Sequence, residues 1–219
     1  MKAIIFDLDG VIVDTARFHY IAWKNLANEL GFDFTEKDNE RLKGVSRMTS
    51  LDILLKIGNI KIEKEKKYFY AEQKNQCYVE YINTMTPQDI LPGVKNFLTK
   101  VKEEGYKIAL GSASKNARTI LIRVGLIDFF DSIIDGNKVT NAKPDPEIFL
   151  KAASELNVKP NECIVFEDAV AGVEAAIAGG MYCIGVGSEE ILSKANFVIP
   201  DFKEMNIEKF KKHIDTNTL

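Results

Sequence analysis

The sequence predicts an α/β protein: a Rossmann-like, doubly wound parallel sheet with a four-helix cap inserted after its first strand. Three observations predict it. From residue 89 onward, short apolar runs alternate with helical patterns, the signature of parallel βαβ units with helices on both faces. The first apolar run, Ala3–Phe6, stands alone at the N-terminus, and a lone buried strand cannot satisfy its own backbone unless it joins that sheet. Between the two, nothing in residues 16–84 looks like a strand. Residues 1–14 and 89–219 are therefore expected to form the core domain, and residues 15–88 a helical cap domain, a small bundle.

The elements follow in order. Ala3–Phe6 has the composition of a strand buried on both faces. Phe18, Ile21, Ala22, Leu26 and Leu30 recur at spacings of three and four, so residues 16–30 read as a helix, with Gly31 where a C-terminal cap belongs. Thr35 caps a second helix through about Leu42, and residues 43–50 follow as a loop carrying one Gly, hydroxyls and Arg47. Residues 51–57 read as a third helix closed by Gly58, and residues 63–84 as a long fourth helix marked by Tyr68, Phe69, Cys77, Tyr78 and Tyr81. Beyond the Leu91-Pro92-Gly93 turn, helices are expected over 94–104, 115–124, 146–156 and 169–178. Strands are expected over 106–110, 132–134, 163–166, 182–186 and 197–199. Asp145 reads as the N-cap of the 146–156 helix, with Pro146 in its first turn.

Composition narrows the function. The chain of 219 residues is 46% hydrophobic, enough for a real core. A net charge of -3 argues against a nucleic-acid binder held by phosphate contacts. No apolar stretch is long enough to span a bilayer, and Asp7 and Asp9 interrupt the N-terminal apolar run too early for a signal peptide. Three cysteines without a C-x-x-C suit a reduced cytoplasm, and two histidines exclude a His-rich metal site. A monomer is expected.

Four short stretches at the ends of core strands carry the chemistry. Asp7 and Asp9 follow the first strand directly, where carboxylates are poor choices for stability unless paired or bound to metal. An isolated D-x-D-G would be read as a turn cap; here three further stretches complete a site. Residues 111–116, Gly-Ser-Ala-Ser-Lys-Asn, offer hydroxyls and free backbone N–H groups that suit a phosphate. Lys143 precedes a capped helix and can offset phosphate charge. Glu167 and Asp168 repeat the anomaly of acids at the end of a buried strand. Four converging carboxylates repel one another unless a divalent cation neutralises them, and oxygen ligands without His or Cys select Mg²⁺. The implied chemistry is phosphoryl transfer, with one carboxylate as nucleophile and another as acid and base. Spacing alone does not say which Asp does which.

The ordered set D-L-D-G, S-A-S-K, K-P-D-P and F-E-D-A-V-A-G-V-E-A-A-I-A-G-G-M resembles the haloacid dehalogenase superfamily across the whole core. The helical insertion resembles that superfamily's cap. The resemblance implies that Asp7 is the nucleophile and Asp9 the general acid and base. Ser112, with Ser114, and Lys143 would hold the transferring phosphoryl group. Asp7, the Asp9 carbonyl, Glu167 and Asp168 would hold Mg²⁺. Residues 14–16, His19, Trp23 and the run Leu42 to Arg47 further resemble the superfamily's sugar-phosphate mutases, with small departures at Gly111 and Ala169, where Ala and Ser are expected. That resemblance implies that Gly44, Val45 and Arg47 on the cap loop grip the phosphate not being transferred, with Ala113, Ser114, Lys115 and Asn116 opposite. Lys74 and Asn75 would assist binding and closure, and Thr15 and His19 would sit at the hinge. Taken singly, Arg47 and Lys74 would be solvated, His19 satisfied and Trp23 packed; only the joint pattern singles them out. The expected substrate is a small phosphorylated sugar, β-glucose 1-phosphate and its 6-phosphate isomer. The alternatives are a sugar-phosphate phosphatase on the same scaffold and a non-catalytic binding protein; the latter should have lost Asp7, Asp9 or the acidic pair, and none is lost.

Overall fold

The computed structural model describes residues 1–217. Six strands form one parallel sheet: β1 (Ala3–Phe6), β2 (Lys107–Gly111), β3 (Ser132–Ile134), β4 (Cys163–Glu167), β5 (Tyr182–Val186) and β6 (Phe197–Ile199). Their order is β3-β2-β1-β4-β5-β6, so β1 lies between β2 and β4, with Ile5 level with Ala109 on one side and Val165 on the other. The order reverses at β1, and in such sheets ligands bind beyond the carboxyl ends of the strands at that point. Every residue of β1 is buried. Ile4 and Phe6 pack on one face with α5 (Val94–Glu103), α6 (Ala117–Arg123) and α9 (Ile207–Asn217). Ala3 and Ile5 pack on the other with α7 (Glu147–Glu155) and α8 (Val170–Ala178). The strand period of two thus distributes one segment between two apolar layers.

Between β1 and α5 come four helices: α1 (Ala16–Glu29), α2 (Glu36–Glu40), α3 (Arg47–Ile57) and α4 (Lys64–Ile82). They enclose a separate apolar cluster around Trp23, Leu26, Phe34, Leu51, Leu54 and Leu55. The inner ends of α1 and α4, at Phe18, Ala22, Tyr78 and Ile82, join the core cluster instead.

Local chemistry explains the boundaries. Thr35 closes a reciprocal cap on α2: its hydroxyl accepts from the Asp38 amide (3.2 Å), and its own amide donates to the Asp38 carboxylate (3.0 Å). Three expectations need correction. The helix after Thr35 stops at Glu40, and the following residues turn toward Gly44, which has a positive φ of 74°. The third helix starts at Arg47, four residues before Leu51, because the Ser46 hydroxyl accepts from the Thr49 amide (3.2 Å). Pro146, and not Asp145, is the capping residue of α7; Asp145 still steadies that turn by accepting from the Glu147 amide (2.9 Å). Residues 207–217, to which the sequence pattern assigned no element, form α9, seated by Phe210 and Ile214.

Candidate active site

The loops after β1, β2, β3 and β4 deliver the core residues to one end of the sheet. After Phe6 the chain folds into a tight turn in which the amides of Ile12 and Val13 both reach the Leu8 carbonyl (2.8 and 3.1 Å). Gly10 adopts a φ of +81°, and a Cβ there would collide with the Asp168 carboxylate, so only glycine lets the β1 and β4 loops meet. Asp7 is buried, and its Oδ1 accepts a hydrogen bond from Lys143 Nζ at 2.6 Å. The same ammonium donates to Glu167 Oε1 at 2.7 Å and lies 4.7 Å from the centre of the Phe149 ring. Burial alone would push the Lys143 ammonium down, but Asp7 and Glu167 beside it more than offset that and hold it above the usual lysine range. The Lys143 loop is fixed from outside the site: Glu147 accepts from the amides of Thr140 (3.1 Å) and Asn141 (2.7 Å).

Asp9 accepts a hydrogen bond from the Thr15 hydroxyl, at the start of α1. Enclosure pushes its carboxyl up to about 6, and the negative charge of Asp7 adds to the push; Thr15, Lys143 and Lys74 pull the other way. Asp168 is held well above the carboxylate range by burial, by Glu167 and by Asp7. Glu167 is raised by burial and Asp7 against the opposing pull of Lys143. Both its oxygens are engaged, since the Ala169 amide donates to Oε2 at 2.7 Å.

These features test whether Mg²⁺ fits. Of the four carboxylates only Asp7 and Glu167 touch the lysine; burial first, and the neighbouring negative charge second, raise Asp9 and Asp168. No histidine or thiol competes among the donors. Among the described residues no three His, Cys, Asp or Glu side chains are close enough to chelate an ion unaided. A hard cation that completes its shell with a backbone carbonyl, waters and substrate oxygens suits such a set.

After β2 the chain forms nested hydroxyl turns. The Ser112 Oγ accepts from the Ser114 amide (3.1 Å), and the Ser114 Oγ accepts from the Asn116 amide (3.2 Å). From the cap, Lys74 Nζ lies 2.9 Å from His19 Nδ1 and 4.6 Å from the centre of the Trp23 ring. Burial and the nearby Arg47 charge push Lys74 down to about 7. Burial, Lys74 and Arg47 hold His19 well below its usual range, so the imidazole is neutral. His19 Nε2 stands 4.0 Å from Asp9 Oδ1, which brings the cap chain to the core carboxylates. Asn116 Nδ2 donates to Asn75 Oδ1 at 2.9 Å, a direct bond between core and cap. Gly44 rests so closely on α8 that a Cβ there would lie 2.7 Å from the Ala169 Cβ.

Cap and core enclose a cavity of about 500 Å³. The core contributes Asp7, Asp9, Lys143 and Asp168, with Ala113, Ser114, Lys115 and Asn116 alongside. The cap contributes His19, Trp23, Gly44, Val45, Arg47 and Lys74. Ser112 and Glu167 do not reach this wall; both are fully buried behind it, where Ser112 shapes its loop and Glu167 holds Lys143 and the Ala169 amide. Among the lining residues that the sequence analysis did not assign to the site are Glu72 and Tyr78. Glu72 pairs with Arg47 (3.1 Å) but sits in a helix rich in charge, and no sequence signal marks it. Tyr78, which the helical period marked only as apolar, is buried beside Lys74 and His19.

A strand-end nucleophile candidate, a buried lysine, an acidic pair and a lid of helices define a phosphoryl-transfer protein of the haloacid dehalogenase type. The comparisons agree: residues 1–180 match the haloacid dehalogenase-like hydrolase family, and the chain belongs to it. Over 214 residues it is 43% identical to the β-phosphoglucomutase of Bacillus subtilis, covering 95% of this chain and 93% of that one. It is 36% identical to a phosphorylated carbohydrates phosphatase of Thermotoga maritima over 83% of this chain and 82% of that one. Among solved structures it is similar to the β-phosphoglucomutase of Clostridium difficile, with a TM-score of 0.95 and 47% identity over 99% of this chain and 98% of that one.

Proposed function

We propose that the protein interconverts β-D-glucose 1-phosphate and β-D-glucose 6-phosphate through phosphorylated Asp7 and β-glucose 1,6-bisphosphate. The observation that carries it is a cavity between core and cap with a group suited to a phosphate on each side: Asp7 and Lys143 on the core, and Arg47 on the cap. A phosphatase needs only the first. The 43% identity to a β-phosphoglucomutase over nearly the whole chain supports the same reading.

Phosphorylated Asp7 donates its phosphoryl group to the C6 hydroxyl while Asp9 takes the hydroxyl proton. The bisphosphate then turns over. Its C1 phosphoryl group passes to Asp7, and Asp9 returns the proton to the departing C1 oxygen. A carboxyl at about 6 is poised to do both near neutral pH. Lys143 and the turn shaped by Ser112 and Ser114 orient the transferring group, and the Arg47 fork matches the oxygens of the other phosphate. Asp7, Asp168 and the Asp9 carbonyl would hold Mg²⁺, with Glu167 supporting Lys143 behind them. When bound, that ion offsets the charge of the transferring phosphoryl group. Residues 15–88 act as the moving cap. Closure excludes water, which would otherwise hydrolyse the aspartyl-phosphate. Unpaired thiols at Cys77, Cys163 and Cys183 and freely diffusing sugar phosphates fit a cytoplasmic enzyme.

The test supplies β-glucose 1-phosphate, Mg²⁺ and a trace of β-glucose 1,6-bisphosphate, and follows glucose 6-phosphate and free phosphate together. Glucose 6-phosphate in large excess over free phosphate is the expected result; free phosphate alone would make the protein a phosphatase. Asp7→Asn should abolish both products. Arg47→Ala should cut isomerisation by at least tenfold more than hydrolysis, and equal losses would sink the role of the cap as a gate.

A further inference from the structure

Glu72 is a carboxylate in the wall of a cavity that must hold a phosphate dianion, and nothing in the transfer chemistry calls for it. Its Oε2 accepts from Arg47 Nη1 at 3.1 Å, and its Oε1 accepts from Asn75 Nδ2 at 3.3 Å. Arg47 is the group assigned to the phosphate that is not transferred. Glu72 therefore engages a guanidinium that a phosphate would also take. The two partners differ in freedom: the Glu72 side chain is 57% exposed and that of Arg47 only 21%. The carboxylate can swing out to water while the guanidinium stays in place.

We propose that Glu72 is the resident counter-ion of Arg47, displaced by the second phosphate and restored when that phosphate leaves, and so sets how tightly the site grips it. This rests on the two-phosphate reading above. The structure gives two reasons for such a group. Arg47 stands near Lys74 and its charge disfavours the Lys74 ammonium, and a carboxylate on Arg47 offsets that charge when no anion is bound. Secondly, the bisphosphate has to release Arg47 to present its other end to Asp7. A guanidinium with no competing anion would hold the intermediate in one orientation, a form of binding that lowers KM without speeding turnover. Glu72 retakes Arg47 during the reversal and lowers the barrier to it.

Glu72→Gln tests this, since it keeps the shape and the acceptor oxygen but removes the charge. Exposed ion pairs are weak, so the expected change is about two- to fivefold. KM for β-glucose 1-phosphate should fall by that factor and kcat should fall with it. The same substitution made on an Arg47→Ala background should leave KM unchanged. If Glu72 only props Arg47 in position, Glu72→Gln raises KM and the proposal is overturned. An unchanged KM, or a fall that persists without Arg47, overturns it equally. Should the unaltered protein form no glucose 6-phosphate from β-glucose 1-phosphate, the mutase reading fails and this inference with it, an outcome distinct from the other three.

Discussion

At the scale of single residues, the site is governed by charges held where solvent would not leave them. Lys74 shows this most clearly. It is buried beneath Trp23 and Tyr78, with its ammonium 4.6 and 4.5 Å from the two ring centres, and bonded to a neutral histidine. Burial first, and Arg47 second, bring it from an ordinary 10.5 down to about 7. Between those two values the unfolded chain holds a proton that the folded chain has lost. Stability from this group therefore rises with pH across that window, is complete above 10.5, and is lost as the pH falls to about 7. Thermal melts from pH 7 to 9 should show a shallower rise of Tm with pH in Lys74→Met than in the unaltered protein. Parallel slopes would mean that Lys74 titrates normally. This behaviour is invisible in the sequence, where Lys74 is one of several lysines in a charged helix. Arg47 was singled out by its neighbours in the chain, but its partner Glu72 lies on another helix, 25 positions away. Contacts between elements leave no local trace.

At the scale of elements, the start of α3 decides where Arg47 stands. A loop over 43–50 would leave that side chain free to wander; a helix capped by Ser46 anchors it at the first helical position, facing the cavity. Apolar periodicity could not reveal this, because the first turn, Arg-Met-Thr-Ser, has no apolar stripe, whereas the Ser46 hydroxyl and the Thr49 amide meet at 3.2 Å. Ser46→Ala should cost about 1 kcal/mol of stability. For a chain of this size that lowers Tm by about 2–4 °C. It should also raise KM for β-glucose 1-phosphate by loosening Arg47. A full Tm loss with an unchanged KM would separate the cap of α3 from the phosphate grip. Other elements were legible because their signals are local. The Thr35 cap and the burial of β1 on both faces appear in the structure as the residues predict.

At the scale of the molecule, function depends on two bodies of packing meeting across one cavity. The helices inserted after β1 bury their own cluster, while the sheet buries two others. The bodies meet through the apolar inner ends of α1 and α4, the Asn75–Asn116 bond and the close approach of Gly44 to Ala169. The proposed Mg²⁺ site exists only in the folded chain, where Asp7, Asp9 and Asp168 line one cavity. Added Mg²⁺ should therefore raise Tm, by an amount equivalent to about 2.7 kcal/mol at a hundred times the dissociation constant. Asp168→Asn should remove most of that rise, and an equal rise in both proteins would place the ion elsewhere.

The sequence by itself determined the order of strands and helices up to β6, the split of residues 16–84 from the sheet, and the acidic and hydroxyl groups at the strand ends. Those features rest on periodicity and on residue types that are costly where they stand, both properties of short stretches of chain. Tertiary structure alone decided that Glu167 and Ser112 lie behind the cavity wall, that Lys143 bridges Asp7 and Glu167, and that Glu72 occupies Arg47. Each depends on distances between residues 24 to 136 positions apart, and on burial that shifts charge according to what surrounds it.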